Sequence, residues 1–526
     1  MTRQKSEDCI KPKERGNVFP TQLDEPVAGG EAVPVKEVVS QLLLFVETAE
    51  DLARARADGG AARRRRRAEP RAVPKSTSKQ SKSPSATTIE EVIKRLSDAF
   101  ENVARNRGAP GPDGKSIDEV RRHLPTILPT LCRCLTDGSY VPGEIRRVWI
   151  PKSGGGERGL GIPNVIDRMV QEAVRLVLEP TYEPTFHASS HGFRPGRSCH
   201  TAIAEAKQHL EEGYEWVVDL DLEKFFDRVH HQRLMSKLAQ RVKDKPLLGL
   251  IGRMLKASVV MPEGVVVQTE EGVPQGGPLS PLLSNIVLDE LDQELCRRGH
   301  RFVRYADDAN IYVRSEMSGQ RVMASVSSFI SKRLRLRVNA AKSAVARPEE
   351  RHFVGFRLRR DPLEGEVEVL LSKRSQERIS AKIVELIPRT WGATMKSCIT
   401  GLNRYLQGWI QFFGICTDGV ERVLGSLDAH IRRRLRAIQL RHWKRKRTMA
   451  RKLIGLGSKA KTVWRTLYEG NKSLWALSHT STVNYALRNS HWDARGLFSL
   501  LHRWRQMREA VVAPRQLTLA WDTARS

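Results

Sequence analysis

Four aspartates in the middle of this 526-residue chain stand at spacings that could do chemistry. In Trp216-Val-Val-Asp-Leu-Asp-Leu-Glu-Lys-Phe-Phe-Asp227, Asp219 and Asp221 lie two residues apart, so on a strand both project from one face. In the segment 301–313, Asp307-Asp308 sits between two β-rich arms, 302–305 and 309–313, which predicts a hairpin with paired carboxylates at its turn. A carboxylate at the end of a core strand is unfavourable unless it is paired or holds a metal. Taken singly, an edge strand with a wet face would explain the first pair, and ordinary turn chemistry the second. Taken together, one carboxylate from a strand end and two from a hairpin tip can converge on a pair of divalent cations. Oxygen ligands favour magnesium, which keeps waters and binds substrate phosphates, and Mn2+ can substitute. Such a pair serves phosphoryl transfer, activating the attacking hydroxyl and stabilising the leaving oxygen.

A second glycine-rich motif lies upstream. Gly154, Gly156 and Gly159 satisfy the dinucleotide pattern G-x-G-x-x-G, which requires a strand before it and a helix after it. The strand is there, at 145–150, but Leu160-Gly-Ile-Pro163 reads as a second extended segment. The glycines therefore mark a hairpin tip, with Lys152 and Arg158 at its shoulders, two cations able to clamp a triphosphate.

The elements that must position these groups follow from patterning. Thr88 and Glu91 have capping-box spacing, and Val92, Ile93, Leu96, Ala99, Phe100 and Val103 follow at helical period. Gly108-Ala-Pro-Gly-Pro-Asp-Gly114 cannot be helix. Residues 145–356 alternate strand-like and helix-like segments, and 370–500 are almost wholly helical in pattern and very basic. Residues 1–85 hold Pro20, Pro26, Pro34, Pro70, Pro74 and Pro84, the run Arg63 to Arg67 and a Ser/Lys tract, a composition expected to stay disordered apart from a short helix near 38–56. The arginine run reads equally as a nucleic-acid arm and as a solvated linker.

Composition narrows the partners. With 89 lysines and arginines against 60 acidic residues the net charge is +29, which favours nucleic acid through counterion release. A hydrophobic fraction of 40% is too high for wholesale disorder. The longest apolar runs, such as Leu42 to Val46, are too short for a membrane span, and the first twenty residues lack a secretory core. The 7 cysteines form no Cys-x-x-Cys pair, which argues against a disulfide framework or zinc ribbon and suits a reducing cytoplasm.

Tyr305-Ala-Asp-Asp308 resembles the Y-x-D-D box of reverse transcriptases, and its surroundings resemble group II intron-encoded proteins, which combine reverse transcriptase and maturase. The resemblance runs from about residue 88 to 500, with blocks in the family's order. They are Gly108 to Gly114, Ile150-Pro-Lys through Gly159-Leu-Gly-Ile-Pro163, His191-Gly-Phe-Arg-Pro-Gly-Arg-Ser198, the Asp221 strand, Gly272-Val-Pro-Gln-Gly-Gly-Pro-Leu-Ser-Pro281, the Tyr305 box, Leu336-Arg-Val-Asn-Ala-Ala-Lys342 and Phe353-Val-Gly-Phe356. Gly401-Leu-Asn-Arg-Tyr-Leu-Gln-Gly-Trp-Ile-Gln-Phe-Phe413 resembles the maturase (thumb) domain. Ala309 departs from the family, where a bulkier or polar residue often follows the box.

The resemblance implies an α+β, right-hand polymerase: fingers and palm over 86–360, with an antiparallel palm sheet and packed helices, then an all-helical thumb/maturase domain over 361–505 and a tail over 506–526. It implies Asp221, Asp307 and Asp308 as catalytic carboxylates and metal ligands. It selects Asp221 over Asp219, since Asp221 stands five residues before Phe226, the implied steric gate against a ribose 2′-hydroxyl. Lys152 and Arg158 would grip the incoming triphosphate, Gln275 would line the nucleotide pocket, and Lys342 would protonate the leaving pyrophosphate. Arg194 and Arg197 would contact the template strand.

Between Ala429 and Tyr468 stand 14 lysines and arginines and no acidic residue. Arg432, Arg433, Arg434, Arg436, Arg441, Lys444, Arg445, Lys446 and Arg447 lie among Ile431, Leu435, Ile438, Leu440 and Trp443, so an apolar stripe would anchor helices whose cations face a phosphate backbone. Trp443, Trp464, Trp475, Trp492 and Trp504 serve either as helical core or as base-stacking surfaces. No cysteine follows Cys416 and the histidines have no ligand spacing, so an HNH endonuclease is not expected, and priming would come from a nascent strand or another nick. The expected function is RNA-directed DNA polymerase and maturase of a mobile group II intron. The expected partners are intron RNA, target DNA and primer, deoxynucleoside triphosphates and, as one assembly, a homodimer. A non-enzymatic splicing factor with a relic palm and a domesticated retron, diversity-generating or CRISPR-linked reverse transcriptase are the competing readings.

Overall fold

The computed structural model describes residues 87–151, 156–362 and 365–510. The basic N-terminal extension with its Arg63 to Arg67 run, the short helix expected near 38–56, and Lys152 all lie outside the described residues.

Thr88 accepts the Glu91 backbone N–H and starts helix α1 (Ile89–Lys94), which continues almost directly into α2 (Leu96–Arg105). The glycine- and proline-rich loop follows, then α3 (Ile117–Thr136), capped by Ser116. Strands β1 (Ile145–Pro151) and β2 (Glu157–Ile162) form the expected antiparallel hairpin, with Pro151 opposite Glu157. Helix α4 (Val165–Tyr182) runs through the centre of the first core, and α5 (Cys199–Glu211) begins at a Ser198–Thr201 capping box. Strand β3 (Trp216–Leu220), helices α6 (His231–Arg241) and α7 (Lys245–Leu255), and the short strands β4 (Val259–Val260) and β5 (Val266–Val267) come next. Then come α8 (Ser280–Arg297), β6 (Arg301–Tyr305), β7 (Asp308–Val313), α9 (Glu316–Phe329) and β8 (Ala344–Ala346).

The palm sheet has the order β6-β7-β3-β8 and is antiparallel throughout. The fingers sheet has the order β2-β1-β4-β5, with β1 and β4 parallel. Alternation along the palm strands divides the molecule. Val218, Leu220, Phe302 and Ile311 pack into a core built on α1 to α4 and α6 to α8. Val217, Val303 and Tyr312, on the other face, pack into a second core shared with α5 and the C-terminal region.

That region is helical with one exception. Strand β10 (Val367–Leu371) pairs with β9 (Phe356–Arg360), so a strand lies inside the segment expected to be all helical, and the hairpin straddles the 360/361 boundary. The reason is burial, since Val367, Val369 and Leu371 face the second core. Helices α10 (Lys373–Leu386), α11 (Met395–Phe413), α12 (Glu421–Trp443), α13 (Lys446–Gly455) and α14 (Ala460–Tyr468) follow. The short α15 (Leu474–Leu477), α16 (Ser481–Ala486) and α17 (Asn489–Asp493) lead to α18 over 500–510, which runs past the expected domain end at 505. Among the described residues no helix is long and apolar enough to cross a membrane.

Candidate active site and nucleic-acid interface

The aspartates meet because of sheet register. Leu220 lies opposite Ala309, and Asp219 opposite Asn310, so Asp221, just past the end of β3, comes to the same sheet end as Asp308 and within its electrostatic reach. Alternation places Asp219, Asp221, Asp308 and Asn310 on one face, the face shared with Val217 and Tyr312. The hairpin differs from expectation in one respect. Tyr305 pairs with Asp308, so the loop is only Ala306-Asp307 and Asp308 belongs to the strand. The two-residue loop closes through Ala306 in the left-handed region, at φ 57°.

Charge is crowded here. Burial raises the Asp308 carboxyl well above its ordinary range, and Asp219, Asp307 and Asp221 add to it against Arg351. Burial also raises Asp307, with Asp221 reinforcing the shift and Arg158 and Arg304 opposing it. Asp219 is raised by burial despite Arg351, whose guanidinium bonds it at 2.5 and 2.7 Å. Asp219 is therefore a paired structural carboxylate. Asp221 keeps an open side, with its backbone N–H donating to Ser343 Oγ at 3.0 Å and Lys342 Nζ 3.9 Å from its carboxylate. Among the described residues no set of three or more His, Cys, Asp or Glu forms a ready-made metal cage. Asp221, Asp307 and Asp308 nevertheless fit a hard divalent cation, which would relieve their mutual repulsion. Magnesium takes one or two carboxylates plus substrate phosphates rather than a full protein cage.

Beside the carboxylates, Arg158 Nε donates to Gln275 Oε1 at 3.0 Å, joining two residues 117 apart in sequence. The Gln275 turn is clamped to β2, since Gly161 N–H donates to the Gln275 carbonyl at 2.6 Å. Gly276 sits at φ 122°, where a Cβ would collide with the Gly161 carbonyl. Phe226 is buried and edge-on to the buried Phe225, with ring centres 5.2 Å apart.

A model of the reverse transcriptase (RNA-dependent DNA polymerase) family matches residues 150–358, and one of the group II intron maturase-specific domain matches 376–454. The chain joins a reverse transcriptase domain to a group II intron maturase-specific domain. It is 42% identical over 209 residues to Protein YkfC of Escherichia coli (strain K12), covering 39% of this chain and 55% of that protein. It is 38% identical over 214 residues to the group II intron-encoded protein LtrA of Lactococcus lactis subsp. cremoris, covering 39% of this chain and 34% of LtrA. A putative COX1/OXI3 intron 2 protein of Saccharomyces cerevisiae is 34% identical over 217 residues, covering 40% and 25%. The alignments thus span about half of YkfC and a third or less of the other two.

Two arginines of the expected nucleic-acid surface are corrected in the reverse transcriptase and maturase domains. Arg194 has a side chain 6% exposed and is committed to Glu183 and to the carbonyls of His187 and Ser190. Arg434 is buried, and its guanidinium donates to the Ile387 and Val384 carbonyls at the end of α10. Both spend their donors on backbone carbonyls of loops and helix ends, so their guanidiniums are turned inward. Arg197 donates to the Ala188 carbonyl and is half-buried. In the maturase domain Arg432, Arg433 and Arg436 are half-buried on α12, with Arg436 bonded to Asn484 and Arg433 stacked 4.0 Å from the Trp475 ring centre. Arg441, Lys444, Arg445, Lys446 and Arg447 are exposed at the α12–α13 junction. Arg432, Arg436 and Arg488 line an open basin of about 420 Å³.

The sequence reading missed Arg304 and its partners. Its guanidinium, 1% exposed, makes a two-pronged pair with the fully buried Asp292 at 2.5 and 2.7 Å. It also bonds Asn285, Ser190 and the Ala306 carbonyl, the last inside the aspartate turn itself. Asn285 reaches on to the Gly192 carbonyl at 2.9 Å, and a Cβ on Gly192 would collide with the Ala306 nitrogen. The signal was an arginine inside an otherwise apolar strand, Phe302-Val-Arg-Tyr305, where burial demands an acidic partner. Arg351 was missed too, because no local pattern links it to Asp219.

Proposed function

We propose that the chain is an RNA-directed DNA polymerase that is also a maturase, copying group II intron RNA into DNA during mobility and assisting its splicing. The observation that carries this reading is the set of three aspartates on one sheet end beside the Arg158–Gln275 pair, in a chain that continues into a maturase-specific domain.

In this mechanism the primer 3′-hydroxyl attacks the α-phosphate of a deoxynucleoside triphosphate and pyrophosphate leaves. Asp221, Asp307 and Asp308 would hold Mg2+, for which Mn2+ can substitute, and the metal would supply activation of the hydroxyl and neutralisation of the charge that develops on the phosphates. Arg158 holds the triphosphate with its guanidinium, aimed by Gln275, and Lys152 serves the same end. Phe226 presents its ring edge against the sugar, selecting deoxyribose by a clash. Lys342, beside Asp221, gives a proton to the departing pyrophosphate. The protein's contribution is positioning and electrostatics. Arg304 holds the aspartate turn by its carbonyl and so fixes where Asp307 points. The exposed cations of α12 and α13 hold structured intron RNA by its phosphates and 2′-hydroxyls, favouring the spliceable fold. The primer, supplied at the target DNA, occupies the palm paired to the intron RNA template during copying.

The test is primer extension on an RNA template. Asp307→Ala combined with Asp308→Ala abolishes extension while leaving RNA binding in place. Extension retained in that variant would overturn the assignment.

A further inference from the structure

Helix α14 carries two apolar stripes. Val463 and Leu467, four residues apart, are buried against the neighbouring α13 and α16. Trp464 and Tyr468, one position further round at the same spacing, point outward and are 42% and 49% exposed. Their rings lie 5.5 Å apart at an interplanar angle of 34°, forming one continuous aromatic surface. Three other tryptophans of this region are engaged, and Trp443 packs part-buried against the second core. Trp492 and Trp504 are buried with their indole N–H groups bonded to the Leu487 and Cys416 carbonyls. Trp475 lies between Arg389 and Arg433.

The surroundings of the pair are cationic. Lys459, Lys461 and Lys472 are exposed in adjacent sequence, and Lys446 Nζ stands 5.1 Å from the Tyr468 ring centre. The nearby Glu469 is taken by Arg465 at 3.2 Å. An apolar protein partner would have to strip water from these lysines without replacing it. A nucleic-acid strand offers phosphates to the cations and π-faces to the rings at once.

We infer that Trp464 and Tyr468 form a stacking platform for unpaired bases of a single nucleic-acid strand. The platform lies outside both family-matched segments, which end at 358 and 454. It rests on the reading above that the basic helices hold nucleic acid, and it is independent of the polymerase site.

The test uses the full chain and its Trp464→Ala, Tyr468→Ala double variant. The probes are a labelled uridine RNA and a thymidine DNA of about a dozen nucleotides and a blunt RNA duplex of the same length, titrated over a range of salt. The variant binds single strands roughly tenfold more weakly, with an unchanged salt slope and unchanged duplex binding. Trp464→Phe with Tyr468→Phe keeps wild-type affinity. A loss on both RNA and DNA assigns recognition to the base alone, and a loss on RNA only adds an interaction with the 2′-hydroxyl. In the wild type, 4-thiouridine RNA photocrosslinks to Trp464 or Tyr468, separating this platform from strands held in the palm.

Wild-type affinity in the alanine variant, an equal loss on duplex, a flattened salt slope or absence of the crosslink would each overturn the platform. A changed sedimentation mass with unchanged oligonucleotide binding would make the patch an interface between copies instead. If the wild-type chain shows no salt-dependent affinity for any probe, the nucleic-acid reading of the whole domain falls, and the platform with it.

Discussion

The palm and the basic helices treat charge in opposite ways. In the palm, Arg304 and Asp292 are both buried and bonded at every side, and Asp219 is closed off by Arg351. On α12 to α14, Arg441, Lys444, Arg445, Arg447 and Lys461 stand in water. Arg432 and Arg434 show the same contrast two residues apart, one lining an open basin and the other sealing the end of α10. A buried ion pair holds geometry, because removing one partner strands the other in a medium that cannot solvate it. An exposed cation contributes little to the fold and remains available to a polyanion. The sign of the charge says nothing about which role it has.

This contrast can be broken or sharpened experimentally. The largest effect is expected from Arg304→Met, which strands Asp292 and lowers stability by about 3–5 kcal/mol in urea unfolding, with extension activity lost before global unfolding. A wild-type midpoint would remove the palm half of the comparison. Lys342→Ala, in which a palm cation 65% exposed is removed, leaves stability unchanged but lowers the single-turnover rate roughly a hundredfold. An unaltered rate would make Lys342 a surface lysine and nothing more. Arg434→Ala costs about 1–3 kcal/mol through unsatisfied carbonyls, and the salt dependence of RNA binding stays as in the wild type. A shallower slope in that variant would reinstate Arg434 as a phosphate ligand. The smallest stability effect, within about 0.5 kcal/mol, is expected for Arg441→Ala with Arg447→Ala, and there the salt slope falls by roughly 0.7 for each phosphate no longer neutralised.

Much of the palm was legible in the amino-acid order. The β3 alternation, the hairpin around Asp307 and the fingers hairpin at 145–162 depend on local period and turn chemistry, and the structure places them where those rules do. Strand β10 was passed over although Glu366-Val-Glu-Val369 alternates polar and apolar residues, because it lies at the edge of the long helical stretch and what fixes it is pairing with β9. The arginines of α12 were legible as a group and misread one by one. Helical period marks a polar face, but not which of its members the end of another helix will cover.

By itself the sequence determined the residue types and the local spacings: carboxylates at period two, a hairpin turn at the Asp307 pair, an apolar stripe on each helix and a surplus of cations with the long basic run at 429–468. These depend on neighbours a few positions away. Period two left Asp219 and Asp221 equivalent, and the family pattern chose Asp221 without a physical reason. Only the tertiary structure makes the two physically different, by bringing Arg351, 132 residues distant, onto Asp219 while Asp221 keeps an open side. It likewise decided that Arg304 meets Asp292, that Arg158 meets Gln275, and that Trp464 faces out while Trp492 and Trp504 face in. Each of these is a question of which groups share a low-dielectric interior, and burial is a property of the assembled fold and not of any segment of it.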